Sequence, residues 1–190
     1  MRIGLLGGSF DPPHNGHLLA AGDAFEALML DRLVFIPAAV QPLKAGQAEA
    51  TAAQRLAMVR RLASDDPRFS VSSIEIDRGG LSYTVDTLTV LAAQWPAAEL
   101  FWLVGADMVE SFPRWREPKR IAELATVVVL QRAGEAPDLS PLPGAPRLLP
   151  TRRIDISSTE IRHRVRAGKS IRGFVPDSVG ELIAAERLYR

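Results

Sequence analysis

MRIGLLGGSFDPPHNGHLLAAGDAFEALMLDRLVFI, residues 1–36, changes its hydrophobic period twice. Ile3 to Leu6 is a short apolar run ended by Gly7-Gly8, which reads as a buried strand; His17 to Leu30 spaces its apolar positions as a helix does; Leu33 to Ile36 is apolar again and stops at Pro37. Strand, helix and strand within about 35 residues is the size of one βαβ unit, whose strands run parallel with a right-handed crossover.

The pattern recurs downstream. A helix is expected over Thr51 to Ala63, an extended segment over Phe69 to Ile76, and a helix from Thr84 to Gln94 stopped before Pro96. LFWLV (100–104) and TVVVL (126–130) are continuous apolar runs, as strands covered on both faces require. Such alternation predicts a doubly wound α/β fold with a mostly parallel sheet and helices on both faces. Residues 133–153 hold five prolines and two glycines and read as a surface loop around one short strand. Two helices separated by residues 168–174 complete a small C-terminal helical segment, about 157–190. The expectation is a single domain, 1–190.

Composition narrows the function. With 23 Lys+Arg against 22 Asp+Glu, the net charge of +1 argues against a coat for nucleic acid or for an anionic membrane, so any basic site must be local. The absence of cysteine removes disulfides, thiolate zinc sites and cysteine nucleophiles, and makes a cytoplasmic enzyme the simplest context. No run approaches 18 apolar residues, so neither membrane nor targeting segment is expected. Whether the chain forms a homo-oligomer is left open.

The loop after the first strand carries the chemistry. An open α/β sheet binds ligands where strand carboxyl ends meet helix amino ends, and the helix N-terminus favours anions there. Gly7 and Gly8 would let the backbone approach a phosphate. His14 and His17 can each donate to a phosphoryl oxygen, while Gly16 keeps a Cβ out of the turn between them. The spacing is neither G-x-G-x-x-G nor a P-loop. His14, His17 and Asp11 could alternatively ligate zinc, and single loop histidines are usually just exposed; the glycine pair, aspartate and two prolines around this pair favour the phosphate reading. Near the other end, Ser157 with Glu160 three residues on makes a capping box, and residues 152–172 carry seven Lys or Arg against Asp155 and Glu160.

GGSFDPPHNGH (7–17) resembles the H-x-G-H signature of a nucleotidyltransferase superfamily, in the extended form G-G-[ST]-F-D-P-x-H-x-G-H usual in bacterial nicotinate-nucleotide adenylyltransferases, with Pro13 in place of the commoner aliphatic residue. ISSTEIR (156–162) is similar to the second signature, I-S-S-T-x-[IV]-R, and SYTVDTL (82–88) and GADMVESFPRW (105–115) also look like this family. Lys44 ends IPAAVQPLK, where the family usually shows a longer proline-histidine-lysine pattern; the lysine is kept and the Asn-Pro-Pro-His portion is not. Residues 44–50 are read as a lid.

The resemblance implies a Rossmann-like fold and the transfer of an adenylyl group from ATP to nicotinate mononucleotide, with Mg²⁺ bridging phosphate oxygens. It assigns His14, His17, Lys44 and Arg162 to catalysis. It gives Gly7, Gly8, Ser9, Phe10, Gly16, Gly105, Asp107, Ser157, Ser158 and Arg162 to ATP. Ser9, Lys44, Thr84, Asp107, Trp115 and Arg116 go to the nicotinate nucleotide, Thr84 on its carboxylate, Asp107 on a ribose hydroxyl and Trp115 stacked on the pyridine ring. Arg116 stands where the family often has tyrosine, so contact there would be through backbone N–H. The rivals are phosphopantetheine or nicotinamide mononucleotide as acceptor, and a nucleotide sensor without catalysis.

Overall fold

The alternating periods become six strands and seven α-helices among residues 1–131, 136–152 and 154–190, which the computed structural model describes. The first unit is β1 (Arg2–Gly8), α1 (Asn15–Ala27) and β2 (Arg32–Pro37). After it come α2 (Ala52–Ala63), β3 (Phe69–Val71), α3 (Ile74–Arg78), α4 (Thr84–Gln94) and β4 (Glu99–Gly105). The remainder is α5 (Pro118–Leu124), β5 (Thr126–Gln131), β6 (Arg147–Pro150), α6 (Ser158–Arg166) and α7 (Asp177–Ala185). The strands lie in the order β3-β2-β1-β4-β5-β6 and every pairing is parallel. Among the described residues no helix is long and apolar enough to cross a membrane.

The continuous apolar runs are strands that feed two cores by alternation. Ile3 and Leu5 of β1, Val34 and Ile36 of β2, and Trp102 and Val104 of β4 face one side, against Leu88 of α4 and Ile121 of α5. Leu6, Phe35 and Leu103 face the other, against Ala24 of α1, Met58 of α2, Ile161 of α6 and Leu182 of α7. A side-chain period of two, with both faces covered, leaves no polar position inside these strands. The last two helices therefore share a core with the first βαβ unit, which brings residues 150 positions apart in sequence to one edge of the sheet.

Three local expectations are corrected. The segment 69–76 is not extended throughout: the Ser72 N–H donates to the Phe35 carbonyl at 2.9 Å, and the chain turns at Ser73 into α3, whose Glu75 is buried. Helix α1 begins at Asn15, two residues before the expected start at His17, because Asn15 is anchored through its N–H to Phe174 O at 2.9 Å and through Nδ2 to Gly173 O at 2.8 Å. Helix α5 was not foreseen: only Ile121 is buried, and its charged faces carry no visible period.

Gly7 has a packing reason distinct from phosphate access. A Cβ there would stand 2.8 Å from the Trp102 ring of the neighbouring strand, and a rigid indole cannot yield as a flexible chain end could. Gly7→Ala is expected to lower unfolding free energy by about 1–3 kcal/mol through overpacking, read from denaturant midpoints at unchanged slope.

Candidate active site

The strand order reverses between β1 and β4, the place where open α/β sheets bind ligands. A cleft of about 340 Å³ opens there, floored by Gly7, Gly8 and Gly105 at the strand ends. Gly16 and His17 of α1 form one wall, and Ser158, Thr159 and Arg162 of α6 another. Ser9, Phe10, Asp107 and Met108 also border it, as do Gln47 and Ala48 from the segment read as a lid.

The two histidines take different places. His17 lines the cleft, whereas His14 is 3% exposed and its ring lies 3.7 Å from that of His17, tilted by 31°. The backbone N–H of His14 donates to His17 Nδ1 at 3.1 Å. A neutral His17 so bound carries its proton on Nε2, a hydrogen-bond donor. Phe10 meets His17 edge-on at 5.0 Å from a left-handed backbone, φ 51°. Its ring also packs edge-on against Phe35, so burial offsets a conformation that costs on the order of 1 kcal/mol or more. A Cβ on Gly16 would press within 3.0–3.1 Å of the His14 ring, so this glycine makes room for the imidazole pair.

Asp11 is held by three donors. The N–H groups of Glu49 and Ala50 donate to its carboxylate at 2.8 and 3.1 Å, and the Tyr189 hydroxyl donates at 2.7 Å. Burial, followed by the adjacent Asp11 charge, pushes the Tyr189 phenol far above its ordinary value and keeps it a donor. Among the described residues no group of three His, Asp or Glu is disposed to hold a metal ion. Helix α6 grips the same loop: Arg162 Nη1 donates to the Asp11 carbonyl at 2.8 Å and Ser158 Oγ to the Pro12 carbonyl at 2.8 Å. Ser157 caps α6, its side chain accepting from the Glu160 N–H at 3.1 Å without the reciprocal bond of a full capping box, and it does not line the cleft.

Arg55, absent from the sequence-derived site, is 2% exposed and donates to three carbonyls: Ser9 at 2.7 Å, Ala39 at 2.9 Å and Ala50 at 3.3 Å. Burial lowers its affinity for its proton, and the nearby Asp11 and Tyr189 oppose that shift. The signal was visible in TAAQRLAMVRRLA, because Arg55 stands at the helical spacing of Met58, Val59 and Leu62, on the buried face. Ser9 Oγ donates to Gln41 Oε1 at 2.7 Å, which fixes its hydroxyl over the cleft floor.

Of the residues expected at the nicotinate nucleotide, Ser9 and Asp107 line this cleft, whereas Thr84, Trp115 and Arg116 form a separate group outside its lining. Thr84 opens α4; Arg116 lies 5.0 Å over the Tyr83 ring and reaches Asp86 at 3.5 Å. Trp115 stacks on Phe112 at 4.7 Å, its buried indole N–H without a hydrogen-bond partner among the described residues. The Ser82 N–H donates to Val40 O and the Ala39 N–H to Ser82 Oγ, both at 2.9 Å, which fastens the start of α4 to the end of β2. Behind this seam Thr87 donates to the buried Glu75 at 2.7 Å, and burial raises the Glu75 carboxyl above its usual range. Lys44 ends a 3-10 turn, Pro42–Lys44, and its side chain lies outside what the structure describes.

Comparison with known proteins follows the same geography. The cytidylyltransferase-like family profile matches residues 5–164, which takes in both walls of the cleft. A protein of Gemmatimonas aurantiaca named "Probable nicotinate-nucleotide adenylyltransferase" is 51% identical over 100% of this chain and 93% of its own. One of Thermus thermophilus with the same name is 47% identical over the whole of both chains. The fold of a Plasmodium falciparum nicotinic acid mononucleotide adenylyltransferase, solved as a complex with NaAD, superposes with a TM-score of 0.81 at 17% identity, covering 99% of this chain and 97% of that one.

Replacing Arg55 by Met would leave three carbonyls around the cleft without their donor. The expected cost is about 2–4 kcal/mol of stability, measured by denaturant unfolding.

Proposed function

The chain belongs to the cytidylyltransferase-like family, among the nicotinate-nucleotide adenylyltransferases, and on that premise we propose how its cleft joins ATP to nicotinate mononucleotide. The observation that carries the reading is the convergence of His17 and Arg162, from the two signature segments, on one cleft at the switch point of the sheet. We treat residues 1–190 as one nucleotidyltransferase domain, since Ile161 and Leu182 share a core with β1 and β2.

The reaction is an in-line displacement. An oxygen of the nicotinate nucleotide's 5′-phosphate forms a bond to the α-phosphorus of ATP; the bond from that phosphorus to the β-bridging oxygen breaks; nicotinate adenine dinucleotide and pyrophosphate result. A phosphate monoester is already ionised near neutral pH, so no general base is needed. The protein contributes position and charge stabilisation.

His17 donates from Nε2 to the phosphoryl oxygens that gain charge, and His14, stacked behind it, fixes that ring and contacts the phosphates when substrate draws near. Arg162, with Lys44, offsets the charge of the triphosphate and of the departing pyrophosphate. The floor of Gly7, Gly8 and Gly105 admits the phosphates closely, Ser9, Phe10, Gly16 and Ser158 border the nucleotide, Ser157 caps the helix that carries Ser158 and Arg162, and Asp107 accepts from a ribose hydroxyl. Thr84, Trp115 and Arg116 receive the nicotinate end. ATP brings Mg²⁺ as part of the substrate: this ion ordinarily keeps several waters and binds through nucleotide phosphates, and the cleft, whose Asp11 carboxylate is committed to other donors, suits that mode better than a protein cage. The chemistry that Mg²⁺ would supply there is neutralisation of negative charge on the triphosphate and the departing pyrophosphate.

The test is pyrophosphate release from ATP with nicotinate mononucleotide, nicotinamide mononucleotide and phosphopantetheine compared side by side. Nicotinate mononucleotide is expected to be the best acceptor; ATP binding with no pyrophosphate release from any of the three would overturn the proposal. His17→Ala is expected to lower turnover by ~10²- to 10³-fold, as loss of one donor to a developing charge does, with its thermal transition retained.

A further inference from the structure

Glu49 lies beside the lining of the cleft, yet it engages the arginine on which the cleft depends. Arg162 Nε donates to Glu49 Oε1 at 2.9 Å, and Arg166, one helical turn further along α6, donates to Glu49 Oε2. One carboxylate is thus bracketed by two guanidiniums. The Arg166 hydrogen bond first, with the bond and charge of Arg162, holds the Glu49 carboxyl below the usual carboxylate range, so it is an anion at neutral pH. Its backbone is fixed as well, since the Glu49 N–H is one of the donors to Asp11. The acid is therefore set in place by the same loop that shapes the cleft.

A guanidinium fork recognises carboxylate and phosphate oxygens by the same planar geometry. Arg162 has one arm on the Asp11 carbonyl and turns its Nε edge to Glu49, so that edge serves the carboxylate or a phosphate, one at a time. We propose that Glu49 competes with the triphosphate of ATP for Arg162 and Arg166, which makes it a positioning residue that sets ATP affinity. This rests on the reading of the cleft as the ATP site. A ligand's apparent affinity falls with the fraction of protein whose binding group is available, and Glu49 lowers that fraction. A carboxylate left nearby after displacement would repel the phosphates, so both effects weaken ATP binding and neither bears on the acceptor.

The experiment titrates ATP with Mg²⁺, without acceptor, into the parent enzyme, Glu49→Gln and Glu49→Ala by calorimetry, then measures initial rates against each substrate. Glu49→Gln keeps the shape and an acceptor oxygen while removing the charge; the side chain is one-third exposed, at 35%, so the variant should fold, which a thermal melt checks. ATP is expected to bind Glu49→Gln about 3- to 10-fold more tightly, Glu49→Ala to shift in the same direction, and the KM for nicotinate mononucleotide to stay within twofold. Glu49→Asp should return ATP affinity toward the parent value. An unchanged or weaker ATP affinity in Glu49→Gln, with the parent binding ATP and turning over, overturns the role of Glu49 alone. A parent enzyme that binds no ATP overturns the ATP-site reading and this inference with it.

Discussion

The Asp11 carboxylate is the point on which the cleft depends. It lies in the loop between the first strand and the first helix, and takes hydrogen bonds from the backbone of Glu49 and Ala50 and from the hydroxyl of Tyr189, next to last in the chain. Three segments far apart in sequence thereby share one buried acceptor. In a low-dielectric setting a buried carboxylate needs its donors, and removing any one would leave a charge short of compensation. Arg55 repeats the arrangement with reversed polarity, one buried cation on three carbonyls. The loop between β1 and α1 is thereby held by buried bonds from Glu49, Ala50, Arg55 and Tyr189.

This has a physical rationale. Phosphoryl transfer asks for groups held in place before the charge develops, because reorganisation during the reaction would cost what the electrostatics supply. The rings of His14 and His17 stacked at 3.7 Å, the Phe10 ring wedged among them and the glycine that admits them form a packed unit in which His17 has little freedom. Helix α6 brings Arg162 to the same unit and ties itself there through Ser158 and the carbonyls of Pro12 and Asp11. Binding of the substrate and binding of the two halves of the protein to each other thus use neighbouring atoms.

The opposed charges around Arg162 place the site between two demands. An unpaired guanidinium would attract any phosphate, and a fully satisfied one would attract none. A carboxylate of matching geometry at one-third exposure sits between those limits, since solvent screens the pair and keeps it exchangeable. Meanwhile the start of α4, with Thr84, and the segment of Trp115 and Arg116 are fastened to the end of β2 and to each other, apart from the phosphate region. The two groups are thus anchored separately.

Sequence alone determined the succession of the strands and of the longer helices along the chain, because a doubly covered strand must be apolar throughout and a helix buried on one side must show its period. The loop after the first strand and the Ser157–Arg162 segment were legible too, as residue types of specific chemistry in short, recognisable spacings, and the fold brings Gly7, Gly8, Gly16, His17, Ser158 and Arg162 of these to one cleft. Short-range signals failed where a few buried contacts overrule a pattern, as at Ser72–Arg78, which turns helical around a buried Glu75, and at α5, which buries only Ile121. Only the tertiary structure decided that His17 lines the cleft while His14 is buried beside it, that the Asp11 carboxylate takes hydrogen bonds from Glu49, Ala50 and Tyr189, and that Arg55 and Glu49 bond to residues around the cleft. Those facts are distances between residues tens to nearly two hundred positions apart, and a linear spacing carries no record of which buried donor will find which acceptor once the chain has folded.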